Sequence, residues 1–394
     1  MGTTTICSAD RASLRAALIL SLCLPGDVLL YLLLPMQYQA FGITLGEAGI
    51  LLAANRLVRI FGYHYVMKGY ARWGDRPSSM LAAGCAALCA LGYATLSGFW
   101  ALLLLRLLWG LAYAALNLST QVMATAQAAG AARRSGRSRA LVAVGPMLAL
   151  PLGALLSLEH GPRLIFLAMV ASSLLGAWLA RGLPAAAHPL PEAQRRFRRP
   201  DSVAMWSFTE GLTLDGLFII GLSLLAQQLL GADAVLVAGG LLAVRYLSEL
   251  LLSPLGGLLA QRWGATRMLV GLALLTAAAL VAFGCHWLVA GGGLVLVLRA
   301  LQLPLVGPVV AERNPGQQRV RALAANAVWR DIGAGIGPML AAVVLPLMAP
   351  VWVYALAALA LAISALACAQ RPAVRLPMVQ PPAADQQVAG GEVR

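Results

Sequence analysis

GILLAANRLVRIFGYHYVMKGYARWG, residues 49–74, is an apolar run that carries Arg56 and Arg59 in its middle and ends in Ala71-Arg72-Trp73-Gly74. GGLLAVRYLSELLLSPLGGLLAQRWG, residues 239–264, aligns with it without a gap at an offset of 190 residues. The two share an opening Gly, a Leu-Leu-Ala, a later Leu and the terminal Arg-Trp-Gly. A chance match of three residues means little, but a match along a whole apolar segment indicates an internal duplication. The duplication continues on both sides. Asp27 corresponds to Asp215 at an offset of 188, and Arg106 to Arg299 at 193. Gly145-Pro146-Met147-Leu148-Ala149 recurs letter for letter as Gly337-Pro338-Met339-Leu340-Ala341 at 192.

The solvent of these segments follows from composition. Of 394 residues, 60% are hydrophobic and only 11% are charged, against about 25% charged in soluble domains. A chain with so little polar surface cannot close around a core in water. About twenty apolar residues cross the bilayer core as a helix, and twelve such runs are present. They are read at 16–41, 49–67, 78–96, 99–127, 140–158, 164–180, 203–230, 235–260, 268–288, 291–310, 322–347 and 350–369, and are called spans 1 to 12. The runs are too long, and alternate too little, for barrel strands. The expected fold is therefore an all-α integral membrane protein of two parallel six-helix bundles, 1–182 and 203–370. A Pro- and Arg-rich cytoplasmic linker (183–202) joins them, and a disordered cytoplasmic tail (371–394) follows. Span 1 is too long for a cleavable signal peptide and contains Asp27. The six cysteines form no CxxC and no Cys/His cluster at zinc spacing.

Orientation follows from the basic residues, 28 Arg and Lys68. With the N-terminus in the cytoplasm, the even-to-odd connections and both tails hold 22 of them and the opposite side holds only Arg163. The other six, Arg56, Arg59, Arg106, Arg245, Arg299 and Arg330, lie within spans. That bias predicts both termini in the cytoplasm. It also accounts for a net charge of +14 without nucleic acid as a partner.

Several segments resemble the major facilitator superfamily. Gly257, Leu259-Ala260-Gln261-Arg262-Trp263-Gly264 and Arg267 resemble the signature loop after helix 8 of that family. Ala71-Arg72-Trp73-Gly74-Asp75-Arg76 resembles a worn copy of it after helix 2. Both copies lack the usual aspartate, with Ala71 and Gln261 in its place, and Asp75 is a candidate substitute. Leu102-x3-Arg106-x3-Gly110-x3-Ala114 resembles the helix 4 motif, and Gly145-Pro146 with Pro151 and Gly153 partly resembles the helix 5 motif of antiporters. Arg330-Asp331-x-Gly333-x3-Gly337-Pro338 is similar to helix 11 of exporters. The resemblance covers essentially the whole chain. It implies two halves rocking about a midplane site, with Gly74, Asp75, Arg76, Arg262, Gly264, Gly145, Pro146, Arg330, Asp331, Gly337 and Pro338 as gating positions.

Charges inside spans carry the chemistry. Each costs roughly 2.5–3.5 kcal/mol at the bilayer centre on insertion scales, so they must face a polar cavity, pair, or sit near a span end. Asp27 follows a Pro25-Gly26 break. Burial favours a neutral carboxyl and a nearby guanidinium an ionised one; a carboxylate poised between the two can load and release a proton. Asp27, modulated by Arg106, is the expected proton-coupling acid, the alternative being a static ion pair. Asp215 is a second proton site, a substrate contact or a structural pair. Arg245 and Glu249 are four apart and suit an in-helix pair. Arg56 and Arg59 share a helical face without an acid nearby in sequence. They suit an anionic or oxygen-rich substrate, unless they snorkel or pair with helix 1 or 11. His64, Asn117, Gln121, Arg245, Glu249, Arg299 and Gln302 complete the candidate substrate site, with interhelical hydrogen bonding as the alternative role for the amides. Gly333, Gly335 and Gly337 follow no strand and read as close helix packing.

No P-loop, cofactor motif or metal cluster is visible, so no cofactor, metal or ATP hydrolysis is expected. A membrane enzyme would need a catalytic cluster near an interface, and a scaffold or sensor an added soluble domain; neither is seen. The expected function is secondary transport by a monomer in a bacterial inner membrane: proton-coupled export of a small organic molecule by alternating access. The resemblance extends to bacterial drug and siderophore exporters of the superfamily. Import or uniport of a small anionic or polar metabolite is the alternative.

Overall fold

A computed structural model describes residues 2–185, 200–230 and 234–370. Among them, twelve helical crossings follow one another in chain order. Span 1 is Gly2–Cys23 continued by Pro25–Met36, and spans 2 to 6 are Leu45–Trp73, Asp75–Thr95, Phe99–Ala124, Ala131–His160 and Leu164–Ala180. Span 7 runs as Ser202–Glu210, a π-helical turn Gly211–Leu217, and Phe218–Leu230. Spans 8 and 9 are Ala234–Trp263 and Ala265–Gly284. Span 10 is Leu288–Gln302 with Val306–Arg313, and spans 11 and 12 are Gln318–Val344 and Pro350–Ala369. Nine of these segments are long and apolar enough to cross a bilayer. The others are the short span 6 and the two helices of the repeated stretch. Large apolar side chains such as Phe61, Trp100, Leu104 and Met339 lie exposed on the outside, as expected of a surface that meets lipid rather than water.

The packing repeats with the sequence. Span 1 packs on span 5 as span 7 packs on span 11, span 2 on span 4 as span 8 on span 10, and span 3 on span 6 as span 9 on span 12. The halves meet through spans 5 and 8 on one side and spans 2 and 11 on the other. The repeated Gly-Pro segments explain two of these contacts. A Cβ on Gly145 would strike the Ser21 carbonyl of span 1, and one on Gly337 the Leu212 carbonyl of span 7. Gly333 packs the same way against Phe208, whereas Gly335 has nothing within 4 Å. Only two of the three glycines expected at a close crossing are therefore used for one.

Some expected boundaries move. The first helix starts at Gly2, not near residue 16, and breaks at Leu24, ahead of Pro25, which has no N–H to continue the ladder. The basic loop expected before span 5 is helix from Ala131 onward. The reason is that its arginines are used. Arg134, 2% exposed, donates to the carbonyls of Ala124 and Ala129 at 2.9 Å, and to that of Gln127, closing the turn behind span 4. Arg133 bonds Asp10 of span 1 at 2.9 Å. Most of the expected linker (186–199) and the tail (371–394) lie outside the described residues.

Candidate functional site

Both repeated acids sit beside a helix irregularity. Asp27 follows the Pro25 break by two residues, and Asp215 lies inside the π-helical turn; such turns recur at functional sites. Asp27 accepts hydrogen bonds from Arg106 Nη1 and, at 3.3 Å, from Asn55 Nδ2 of span 2. Arg106 is fully enclosed. Its Nε donates to the Leu51 carbonyl at 3.0 Å and its guanidinium lies 5.1 Å from the centre of the Tyr31 ring.

The equivalent place in the second half holds a larger network. Arg299 contacts Asp215 at 2.5 Å, Glu249 at 2.8 Å and Glu210 at 3.8 Å. Arg330 contacts Asp215 at 2.7 Å and Glu210 at 2.8 Å. Arg245 reaches Glu249 at 3.4 Å, as its i, i+4 spacing predicted, and Asp215 at 3.8 Å. Three carboxylates face three guanidinium groups, so the network is formally neutral. Such a network tolerates burial because opposite charges are close and balanced, although the Arg299 Nε has no hydrogen-bond partner among the described residues.

Between the halves, Arg59 of span 2 pairs with Asp331 of span 11 at 3.1 Å and lies over Tyr113 at 4.6 Å. Arg56 donates to the Ala334 carbonyl at 2.7 Å. Arg59 thus has the span 11 partner that was one of its alternatives. Arg56 is left with a backbone acceptor and no carboxylate among the described residues.

Next to this bridge lies a polar cavity of about 60 Å³, lined by Tyr63, Tyr113, Asn117, Gln121, Arg139, Asn326, Arg330 and Asp331 among others. Asn117 and Gln121 are both in the lining. His64 is not in the lining; its neighbour Tyr63 is, with Asn117 Nδ2 at 3.4 Å from its hydroxyl. Gln302 is not in the lining either, and bonds Thr276 and the Leu272 carbonyl (3.2 Å) of span 9. Arg139 is the one cation of the lining outside the sequence-named candidates, and Tyr63, Tyr113 and Asn326 join it there. The duplication held the signal: at the offset of 192, Ser138-Arg139 falls opposite Arg330-Asp331.

The face with the even-to-odd connections closes over this cavity. Spans 5 and 8 touch backbone to backbone there. A Cβ on Gly136 would meet Pro254 at 3.1 Å, and one on Gly257 would strike the Ala132 carbonyl. Arg319 of span 11 donates to the Thr125 carbonyl behind span 4 at 2.6 Å. Asp75 is fully buried at the start of span 3, near enough to Arg319 for its charge to act on it across the halves. Gly74 and Gly264 occupy equivalent sites with φ of 81° and 89°, a region where a side chain is strained. Arg76 donates to the Leu183 carbonyl at 2.9 Å, and Arg262 is exposed.

The sequence profile described as Major Facilitator Superfamily matches residues 16–244 and again 207–390. No curated protein matches the chain. Among solved structures, the human organic anion transporter MFSD10 (TETRAN) superposes with a TM-score of 0.74 at 19% identity, over 91% of this chain and 99% of that one. FucP in the outward conformation gives 0.76 at 16% identity, over 91% and 98%. The proton:xylose symporter XylE gives 0.67 at 14% identity, over 93% and 95%. At such identities the likeness speaks for the fold alone.

Proposed function

The chain belongs to the major facilitator superfamily, and we propose that it is a proton-coupled exporter of a small organic molecule, acting as a monomer by alternating access. The observation that carries the reading is the Asp27–Arg106 pair. It joins one acid to one buried arginine at a helix break, with Asn55 as the only other side chain bonded to that carboxylate among the described residues. Protonating Asp27 would cancel half of this pair and free Arg106 to shift toward the carbonyls of span 2. The motion of one helix against another would then follow the proton. A proton crossing the field brings about 2.3 kcal/mol per 100 mV, comparable with the cost of breaking such a pair. The export direction rests on the Gly-Pro segment of span 5 and the Arg-Asp-Gly segment of span 11. Drugs and siderophores are the substrate types proposed for it, and the amide and phenol lining of the cavity favours an oxygen-rich molecule.

With both termini in the cytoplasm of a bacterial inner membrane, as the basic residues favour, the closed face is the cytoplasmic one. The exporter is then in its outward-directed half-cycle, with Arg330 and Asp331 between the site and the seal. A second reading, import or uniport of a small anionic or polar metabolite, is favoured by the excess of arginine over carboxylate at the midplane.

The test is flux in proteoliposomes under an imposed pH gradient. Asp27→Asn is expected to abolish uphill movement while exchange of substrate at equal concentrations persists. Driven transport that survives intact in Asp27→Asn refutes the proton role.

A further inference from the structure

Resting on the transport reading above, we propose that Arg139 anchors a single negative charge, a carboxylate or other monoanionic group, on the transported molecule. The interior charges lead there. Asp27 is taken by Arg106, Asp331 by Arg59, and Glu210, Asp215 and Glu249 by Arg245, Arg299 and Arg330. Arg139 is half-buried in the wall of the cavity. Among the described residues it has neither a carboxylate within 4.0 Å nor a hydrogen-bond acceptor. A guanidinium held in such a place without a paired carboxylate is costly, and its planar fork matches a carboxylate bidentately.

Symmetry explains why it is unpaired. At the offset of 190, Arg59 falls opposite Glu249; at 192, Asp331 falls opposite Arg139. The bridge between spans 2 and 11 therefore has a charge-reversed counterpart, Glu249 with Arg139, between spans 8 and 5. Only the first is closed. Glu249 is drawn instead to Arg299 at 2.8 Å and Arg245 at 3.4 Å, which leaves the arginine side of the second bridge open toward the cavity. A ligand anion completes it. Asn117, Gln121 and Asn326 stand around the same space to hydrogen-bond the rest of the molecule.

The probe is a matched set of small monoanions and neutral isosteres: propionate against propionamide, and benzoate against benzamide. The readout is protection of Ser135→Cys, in the cavity lining, from maleimide in the full-length protein without its native cysteines, reconstituted in liposomes. The expected result is protection by the two anions and at least tenfold weaker protection by the amides. Arg139→Gln should erase the difference, and Arg139→Lys should keep the preference with protection reduced severalfold. Equal protection by anion and amide overturns the proposal, as does anion protection that is unchanged in Arg139→Gln. Restoration of anion protection in Arg139→Gln by a second change, Glu249→Gln, also overturns it, because Arg139 would then serve Glu249 and not the ligand. The comparison in that Ser135→Cys protein with Arg139 intact needs no further substitution, so a variant that misfolds does not shelter the proposal. Binding is read without flux: absence of driven transport would sink the transport reading while leaving anion selectivity measurable, and the reverse holds equally.

Discussion

Arg59 and Asp331 form an ion pair between the halves, so breaking it should move the conformational balance rather than merely loosen a helix. Removing one partner of a buried pair costs about 3–5 kcal/mol, because the other charge is left uncompensated. Here the two side chains are 9% and 16% exposed, and Arg59 also loses its place over Tyr113, so about 3 kcal/mol is the reasonable figure for Arg59→Gln. The loss falls on the state with the closed face, where the pair exists. At about 1.4 kcal/mol per tenfold, the closed state should lose about two orders of magnitude in population against the opposite one. Maleimide labelling of Ser135→Cys from the even-to-odd face, in a background without native cysteines, reads that population directly. Its rate should rise by up to about a hundredfold in Arg59→Gln and in Asp331→Asn. The double change Arg59→Gln with Asp331→Asn should return it near the starting value, since no unpaired charge remains. A labelling rate that stays within twofold in both single variants, or a double variant that equals the sum of the singles, refutes the bridge as a determinant of state.

Arg299→Gln should destabilise far more than Arg245→Gln, by about 3 against about 1 kcal/mol, because Arg299 touches all three acids while Arg245 is 27% exposed; thermal denaturation in detergent measures both. Gly333→Ala puts a methyl onto the Phe208 carbonyl and should cost about 1–3 kcal/mol, whereas Gly335→Ala, with open space around it, should be neutral or slightly stabilising in the same assay. Gly74→Ala and Gly264→Ala force a side chain into positive φ, and each should lower stability by about 1–2 kcal/mol. Equal losses at Gly264 and at Gly271, a helical glycine whose φ is not positive, would contradict that account.

Chain order alone carried much of this molecule. Hydropathy and length identify the crossings because a helix in lipid must satisfy its backbone within itself, a local requirement written into each run of twenty residues. The duplication placed Asp27 opposite Asp215 and Arg106 opposite Arg299, and in each half the acid meets its own arginine. Arg245 and Glu249, four apart on one helix, could be paired by spacing. Arg59 could not, because its partner lies 272 positions away, and which acid it meets depends on how span 2 packs on span 11. By hydropathy Arg139 falls in the basic connection between spans 4 and 5; only the extension of span 5 to Ala131, with Arg134 spent on the carbonyls behind span 4, turns its side chain into the cavity. Gln302 looks in sequence like Asn117 and Gln121, yet one side of its helix meets the cavity and another meets span 9. Local hydrogen bonding and the bilayer dictate the helices. Which charges stay unpaired between them is settled by distances of a few ångströms across two bundles, and no window of sequence contains those.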